Sequence, residues 1–211
     1  MNNFIVFEGI CCSGKTTLCN KLSEKIKEIN YKPIYNHGAM TYTDLGREFK
    51  QLLGKKDMTI TTLYFFTDLI INTKNVIRTY VAKPDTIVLQ DRYYDAITTY
   101  INAYGEYYNK DYNIYRISDA LVENDVLLKP SLNVFCVPPY EIIIERMEKS
   151  KNSPVHDLYR EHSKFLRLVY DELERKAKEC PNSIIIDTSS ESSTNDGIEK
   201  ILNFIKNNNV I

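Results

Sequence analysis

The stretch Phe7-Glu8-Gly9-Ile10-Cys11-Cys12-Ser13-Gly14-Lys15-Thr16-Thr17 constrains this chain more than any other. It follows Phe4-Ile5-Val6-Phe7, apolar at every position, and precedes Leu18, Leu22, Ile26 and Ile29, which recur at helical spacing. A buried strand that turns through glycines into an amphipathic helix brings backbone N–H groups and the positive end of the helix to one point. That is a cradle for phosphate. The pattern Gly-x-x-x-x-Gly-Lys-Thr in this strand-to-helix context is a P-loop. Lys15 is placed to span the β- and γ-phosphates of a nucleoside triphosphate, and the Thr16 hydroxyl to ligate Mg²⁺. Gly9, Cys12, Ser13, Gly14 and Thr17 complete the expected triphosphate-binding loop.

The rest of the chain continues the alternation. Short β-favouring runs at 32–36, 86–90, 131–137 and 183–187 read as further strands. Helices are predicted over 43–53, 59–81, 117–127, 140–147, 157–178 and 198–205, and another directly after Arg92. The segment 188–196, rich in Ser and Thr, reads as a loop. Buried strands alternating with helices imply an α/β fold, a five-stranded parallel sheet with helices on both faces. The expected domain is single, 1–211.

Composition narrows the function. The 211 residues carry 27 basic and 28 acidic side chains, so no basic surface advertises nucleic-acid binding. No apolar run approaches the roughly 18 residues of a membrane helix. Five cysteines without paired or metal-ligand spacing, and no leader pattern at Met1 to Ile5, predict a reducing, cytoplasmic setting. The three histidines read as structural or surface residues. The tyrosine-rich run 104–115 reads as packing or subunit contact, or as a cover over an acceptor pocket.

Two further stretches carry chemistry. Asp91 and Arg92 fall just past the third strand, at the edge of the sheet where open α/β folds bind ligands. Asp91 can hold a metal's hydration shell, and Arg92 can fork onto an acceptor phosphate. Leu128-Lys129-Pro130 leads into the fourth strand, and the next helix closes on Glu145-Arg146.

With Phe7-Glu8-Gly9, Asp91-Arg92-Tyr93 and Tyr100, these motifs stand in the order and spacing of the thymidylate kinase family, which the chain resembles over nearly its whole length. The resemblance implies a P-loop three-layer sandwich, ATP as donor, Mg²⁺, and a homodimer formed through helices on one side of the sheet. It also implies a short lid at about 148–160. Catalytic roles fall on Lys15, Asp91, Arg92 and Arg146, with Thr16 and Asp91 on the metal. Acceptor-side candidates are Glu8, Cys11, Phe66, Leu69, Arg92, Tyr93 and Tyr100. Lids of one class supply a catalytic Arg, whereas the other class carries it in the P-loop. Cys12 excludes the second arrangement and leaves Lys149, Lys151 and Arg160 as lid candidates.

The departures from the family gather on the acceptor side. Cys11 stands where the family has an Asp that addresses the deoxyribose 3′-hydroxyl, and Leu69 falls near its thymine-reading Arg. No Arg-Glu-Pro occurs in 36–49, and Ala-Tyr-Gln becomes Thr99-Tyr100-Ile101. A site stripped of polar readers loses its means of rejecting other substrates. The expectation is ATP- and Mg²⁺-dependent phosphorylation of a nucleoside monophosphate, dTMP-like or altered. Alternatives are a deoxynucleoside kinase acting on a free 5′-hydroxyl, and a P-loop protein that binds nucleotide without transfer. The thiols of Cys11 and Cys12, near a helix N-terminus and a lysine, are expected to have lowered pKa values.

Overall fold

A computed structural model describes residues 3–37, 41–51, 57–150 and 161–207. Among these residues five parallel strands form one sheet in the order β2-β3-β1-β4-β5: β1 (Phe4–Glu8), β2 (Lys32–His37), β3 (Thr86–Asp91), β4 (Leu132–Cys136) and β5 (Ser183–Ile186). The three central strands, β1, β3 and β4, are buried at every position, as their unbroken apolar character requires. The edge strands β2 and β5 are half-exposed.

The helices are α1 (Lys15–Glu28), α2 (Asp44–Gln51), α3 (Met58–Asn72), α4 (Arg78–Val81), α5 (Tyr94–Tyr108), α6 (Ile117–Glu123), α7 (Tyr140–Lys149), α8 (Ser163–Glu179) and α9 (Glu191–Asn207). On one face, Leu18, Leu22 and Ile26 of α1 and Ile198, Ile201 and Ile205 of α9 pack on Ile5, Phe7, Leu89 and Val134. On the other, α3 and α5 cover Phe4, Val6 and Val88, while α7 and α8 cover Phe135. The result is the three-layer sandwich expected from the alternation.

Three boundaries differ from the sequence reading. The helix predicted over 59–81 contains a π-helical turn, Thr73–Ile77, between α3 and α4. Asn72, Thr73 and Ile77, at its start and end, are all 0% exposed. The helix predicted to reach residue 127 stops at Glu123. Asp125 takes a left-handed conformation (φ 54°) and the Val126 N–H bonds back to Leu121 O, closing the helix. The segment 191–196 is the start of α9, not loop. The Ser190 hydroxyl accepts from the Ser193 N–H at 3.1 Å and Glu191 sits in the first turn, so the serines are capping residues.

The chain leaves β1 toward β2 on one side and leaves β4 toward β5 on the other. The loops after β1 and β4 therefore diverge and open a crevice at the carboxyl ends of the strands. That crevice holds the P-loop.

Candidate active site

The P-loop geometry explains its glycines. A Cβ on Gly9 would lie 2.4 Å from Ser13 Oγ and 3.0 Å from Cys136 O, so only glycine lets the loop lie against the end of β4. Gly14 is left-handed (φ 84°) and starts α1 with no side-chain cap, leaving the first N–H groups of the helix for a ligand. Lys15 is 7% exposed, and its ammonium donates to Gly9 O at 2.8 Å and Ile10 O at 2.9 Å. Around the loop lies a cleft of about 390 Å³ lined by residues 12–17, Arg146, Thr188 and Thr194.

Arg146, at the end of α7, reaches this cleft. Its guanidinium donates to Cys12 O at 3.3 Å, Thr188 O at 2.5 Å and Ser189 O at 3.4 Å, and the Thr188 hydroxyl donates to Ser13 O at 2.5 Å. Arg146 thus ties the P-loop to the turn before α9. Thr188 and Thr194 escaped the sequence reading because a Ser/Thr-rich stretch looks like any loop; the capping signal at Ser190 marks the helix start that places them.

On the opposite side of the loop, parallel pairing sets Asp91 beside Phe7 and His37. Asp91 Oδ2 accepts from the Tyr35 hydroxyl at 2.9 Å and lies 3.0 Å from His37 Nδ1. Asp91 Oδ1 is buried and has no hydrogen-bond partner among the described residues. Burial raises the Asp91 pKa, but the His37 hydrogen bond and the charges of Lys15 and Arg92 outweigh it and hold the carboxyl well below the usual range. It is ionised. His37, read as a structural or surface histidine, is half-exposed and reaches Asp91, a contact that only the register of β2 on β3 reveals.

Arg92 follows in a left-handed conformation (φ 68°), rare for a side chain of its size and common where a site demands it. Its backbone N–H donates to Phe7 O, its Nη2 lies 3.6 Å from Cys11 Sγ, and its guanidinium sits 5.8 Å from the centre of the Tyr100 ring. Cys11, Arg92 and Tyr100 thus form one wall beside the loop.

Several other sequence candidates lie elsewhere. Tyr93 turns into the core, edge-on to Phe4, with its hydroxyl accepting from the Leu128 N–H. Phe66 and Leu69 are 2% and 0% exposed and pack with Phe4, Val6 and Val88 rather than with the P-loop. Glu8 is fully buried and accepts from the Tyr93 N–H at 2.8 Å, which fixes the chain reversal after Arg92. Burial, with Asp95 nearby, pushes its pKa up to about 8. Its Oε2 is buried with no hydrogen-bond partner among the described residues, and its bond to the Tyr93 N–H steadies the turn that carries Arg92.

Lys149 pairs with Glu145 one turn earlier on the exposed face of α7. Lys151 and Arg160 lie outside the described residues, as does most of the expected lid. The Cys12 thiol is pushed up by burial, with Cys11 adding to the shift and Lys15 and Arg146 opposing it only in part. That reverses the expected lowering. Tyr104 and Tyr107 pack with Phe165, Tyr108 packs on both tyrosines, and Tyr107 also meets His162, so this part of the tyrosine run is aromatic packing between α5 and α8.

Oxygen donors at Thr16 and Asp91 Oδ1 suit a hard cation. Among the described residues no cluster of three or more His, Cys, Asp or Glu side chains could enclose a metal unaided. The arrangement fits Mg²⁺ shared with substrate phosphates.

Known proteins are similar to this chain in sequence and in fold. A thymidylate kinase from a Sulfurihydrogenibium species is 32% identical over 161 residues, 72% of this chain and 74% of its own. A Mycoplasma capricolum thymidylate kinase is 27% identical and covers 97% of both chains. The structure of thymidylate kinase from Ehrlichia chaffeensis overlays with a TM-score of 0.63 at 24% identity, covering 96% of this chain and 97% of the other. That of Candida albicans gives 0.69 at 16% identity, covering 98% and 92%. Both overlays establish the fold. The thymidylate kinase family model matches residues 7–198, a span that takes in every part of the cleft, and the chain belongs to that family of nucleoside monophosphate phosphotransferases.

Proposed function

We propose that this enzyme transfers the γ-phosphate of ATP, with Mg²⁺, to the 5′-phosphate of a nucleoside monophosphate whose sugar and base are read differently from dTMP in its relatives. The observation that carries this reading is the asymmetry around the P-loop. Lys15, Asp91 and Arg92 converge on one point, while Cys11, not a carboxylate, faces Arg92 at 3.6 Å.

Transfer of a phosphoryl group needs positioning and neutralisation of charge more than covalent chemistry. Lys15 would exchange the loop carbonyls for β- and γ-phosphate oxygens. Thr16 and ionised Asp91 would hold Mg²⁺, which would supply positive charge against the phosphates. Arg92 would clamp the acceptor phosphate, stacked over Tyr100. Arg146 would contribute positive charge from the donor side.

Among the described residues no helix is long and apolar enough to cross a membrane, and no cysteine is joined in a disulfide. A cytoplasmic enzyme fits both. Ile60 and Leu63 on α3 are 51% and 43% exposed, an apolar face that supports the homodimer expected of the family.

Product identification tests the reading. With ATP, Mg²⁺ and matched nucleosides and monophosphates, ³¹P NMR should show the β-phosphate of a nucleoside diphosphate. A nucleoside monophosphate formed from the free nucleoside as the favoured product would establish a nucleoside kinase instead. Nucleotide binding without any transfer would leave a binding protein.

A further inference from the structure

We propose that Tyr35, on the edge strand β2, is a positioning residue whose phenol holds Asp91 by Oδ2 and so leaves Oδ1 to face the metal. The inference rests on the Mg²⁺ reading above and deepens it.

A short relay runs from β2 to the carboxylate: the Tyr35 hydroxyl donates to Asp91 Oδ2 at 2.9 Å. His37 Nδ1 adds a second contact to Oδ2 at 3.0 Å. Strand register produces this: Tyr35 and His37 alternate onto the sheet face that carries Asp91 and α1.

A phenol has one proton and an ionised carboxylate has none, so Tyr35 donates and Asp91 accepts. On Asp91, two contacts converge on Oδ2, so Oδ1, buried and without a partner among the described residues, is the oxygen left for a cation or its water.

Removing only the hydroxyl tests the relay. Tyr35 is 37% exposed on an edge strand, and Y35F leaves its ring packing in place. Mn²⁺ serves as the probe. Its affinity for the enzyme–ATP complex, read by electron paramagnetic resonance, is expected to fall about tenfold in Y35F. ATP affinity in EDTA and the thermal midpoint should stay within error of wild type. The loss in the double variant Y35F/D91N should fall short of the sum of the single losses, because both act through one carboxylate.

Unchanged Mn²⁺ affinity in Y35F overturns the proposal, as does an equal loss of ATP affinity in EDTA, which marks a packing role. T16V and D91N separate this from the underlying reading. If both leave Mn²⁺ affinity unchanged, the metal assignment itself fails; if both weaken it while Y35F does not, only the relay fails.

Discussion

The two sides of the P-loop differ in how they are held. On the donor side, the loop is fixed mainly by backbone groups. Lys15 rests on Gly9 O and Ile10 O, Arg146 on three carbonyls, and Thr188 on Ser13 O. On the acceptor side, the contacts run between side chains: Arg92 against Cys11 and Tyr100, and Tyr35 and His37 on Asp91. A surface built from backbone tolerates substitution, because every residue brings an N–H and a C=O. A surface built from side chains changes its ligand when one letter changes. Two cysteines can enter the loop without spoiling the cradle, while one of them rewrites what lies across from it.

The largest expected effect is on the donor side. Lys15→Ala removes the ammonium that rests on two loop carbonyls and is proposed to move onto the phosphates, and kcat should fall by about 10³-fold or more. ADP release in a coupled assay reads this, with circular dichroism confirming the fold. Arg92→Lys comes next. A point charge cannot fork onto a phosphate as a guanidinium does, so kcat/KM for the acceptor should drop about 10²-fold while ATP affinity is kept. A matching loss in ATP affinity would place Arg92 on the wrong side of the comparison.

Cys11→Asp has a smaller and opposite effect. A carboxylate beside Arg92 restores a reader for the 3′-hydroxyl, and the preference for dTMP over its 3′-deoxy analogue should rise about tenfold. Equal rates with both analogues in the variant would show that this position does not read the sugar.

How much of this could be read from the chain follows the same division. Strands β1, β3 and β4 were legible because each is a run buried on both faces, and the P-loop because its letters and its strand-to-helix context are local. Arg146 was legible from its place at the end of a helix. The contacts of Tyr35 and His37 with Asp91 were not, since they depend on a pairing between β2 and β3 that no spacing encodes. Glu8 looked like a strand-end acid near substrate. Its fate as a buried, neutral support for Tyr93 depends on the chain reversal after Arg92. The π-helical turn was hidden because its residues are as apolar as those of an ordinary helix.

Glu8 offers the gentlest test, on stability rather than turnover. Buried, and facing Asp95 on one side and Arg92 and Lys15 on others, it keeps its proton to about pH 8 when folded but releases it near 4.5 in a free chain. The native state binds the extra proton between those values, so this residue's contribution to stability falls as pH rises from 4.5 to 8. Glu8→Gln mimics the protonated form. It should unfold at higher denaturant than wild type at pH 9, by on the order of 2 kcal/mol, and show little difference at pH 5. A difference that grows toward acid would reverse the assignment.

The central claim is that a complete donor side faces an altered acceptor side. The ratio of kcat/KM for dTMP to that for the next best nucleoside monophosphate, at saturating ATP and Mg²⁺, tests it most directly. Loss of the sugar and base readers predicts a ratio within about tenfold of one, or in favour of another nucleotide. A preference for dTMP of several orders of magnitude would contradict the claim and show that other residues read thymidylate in full.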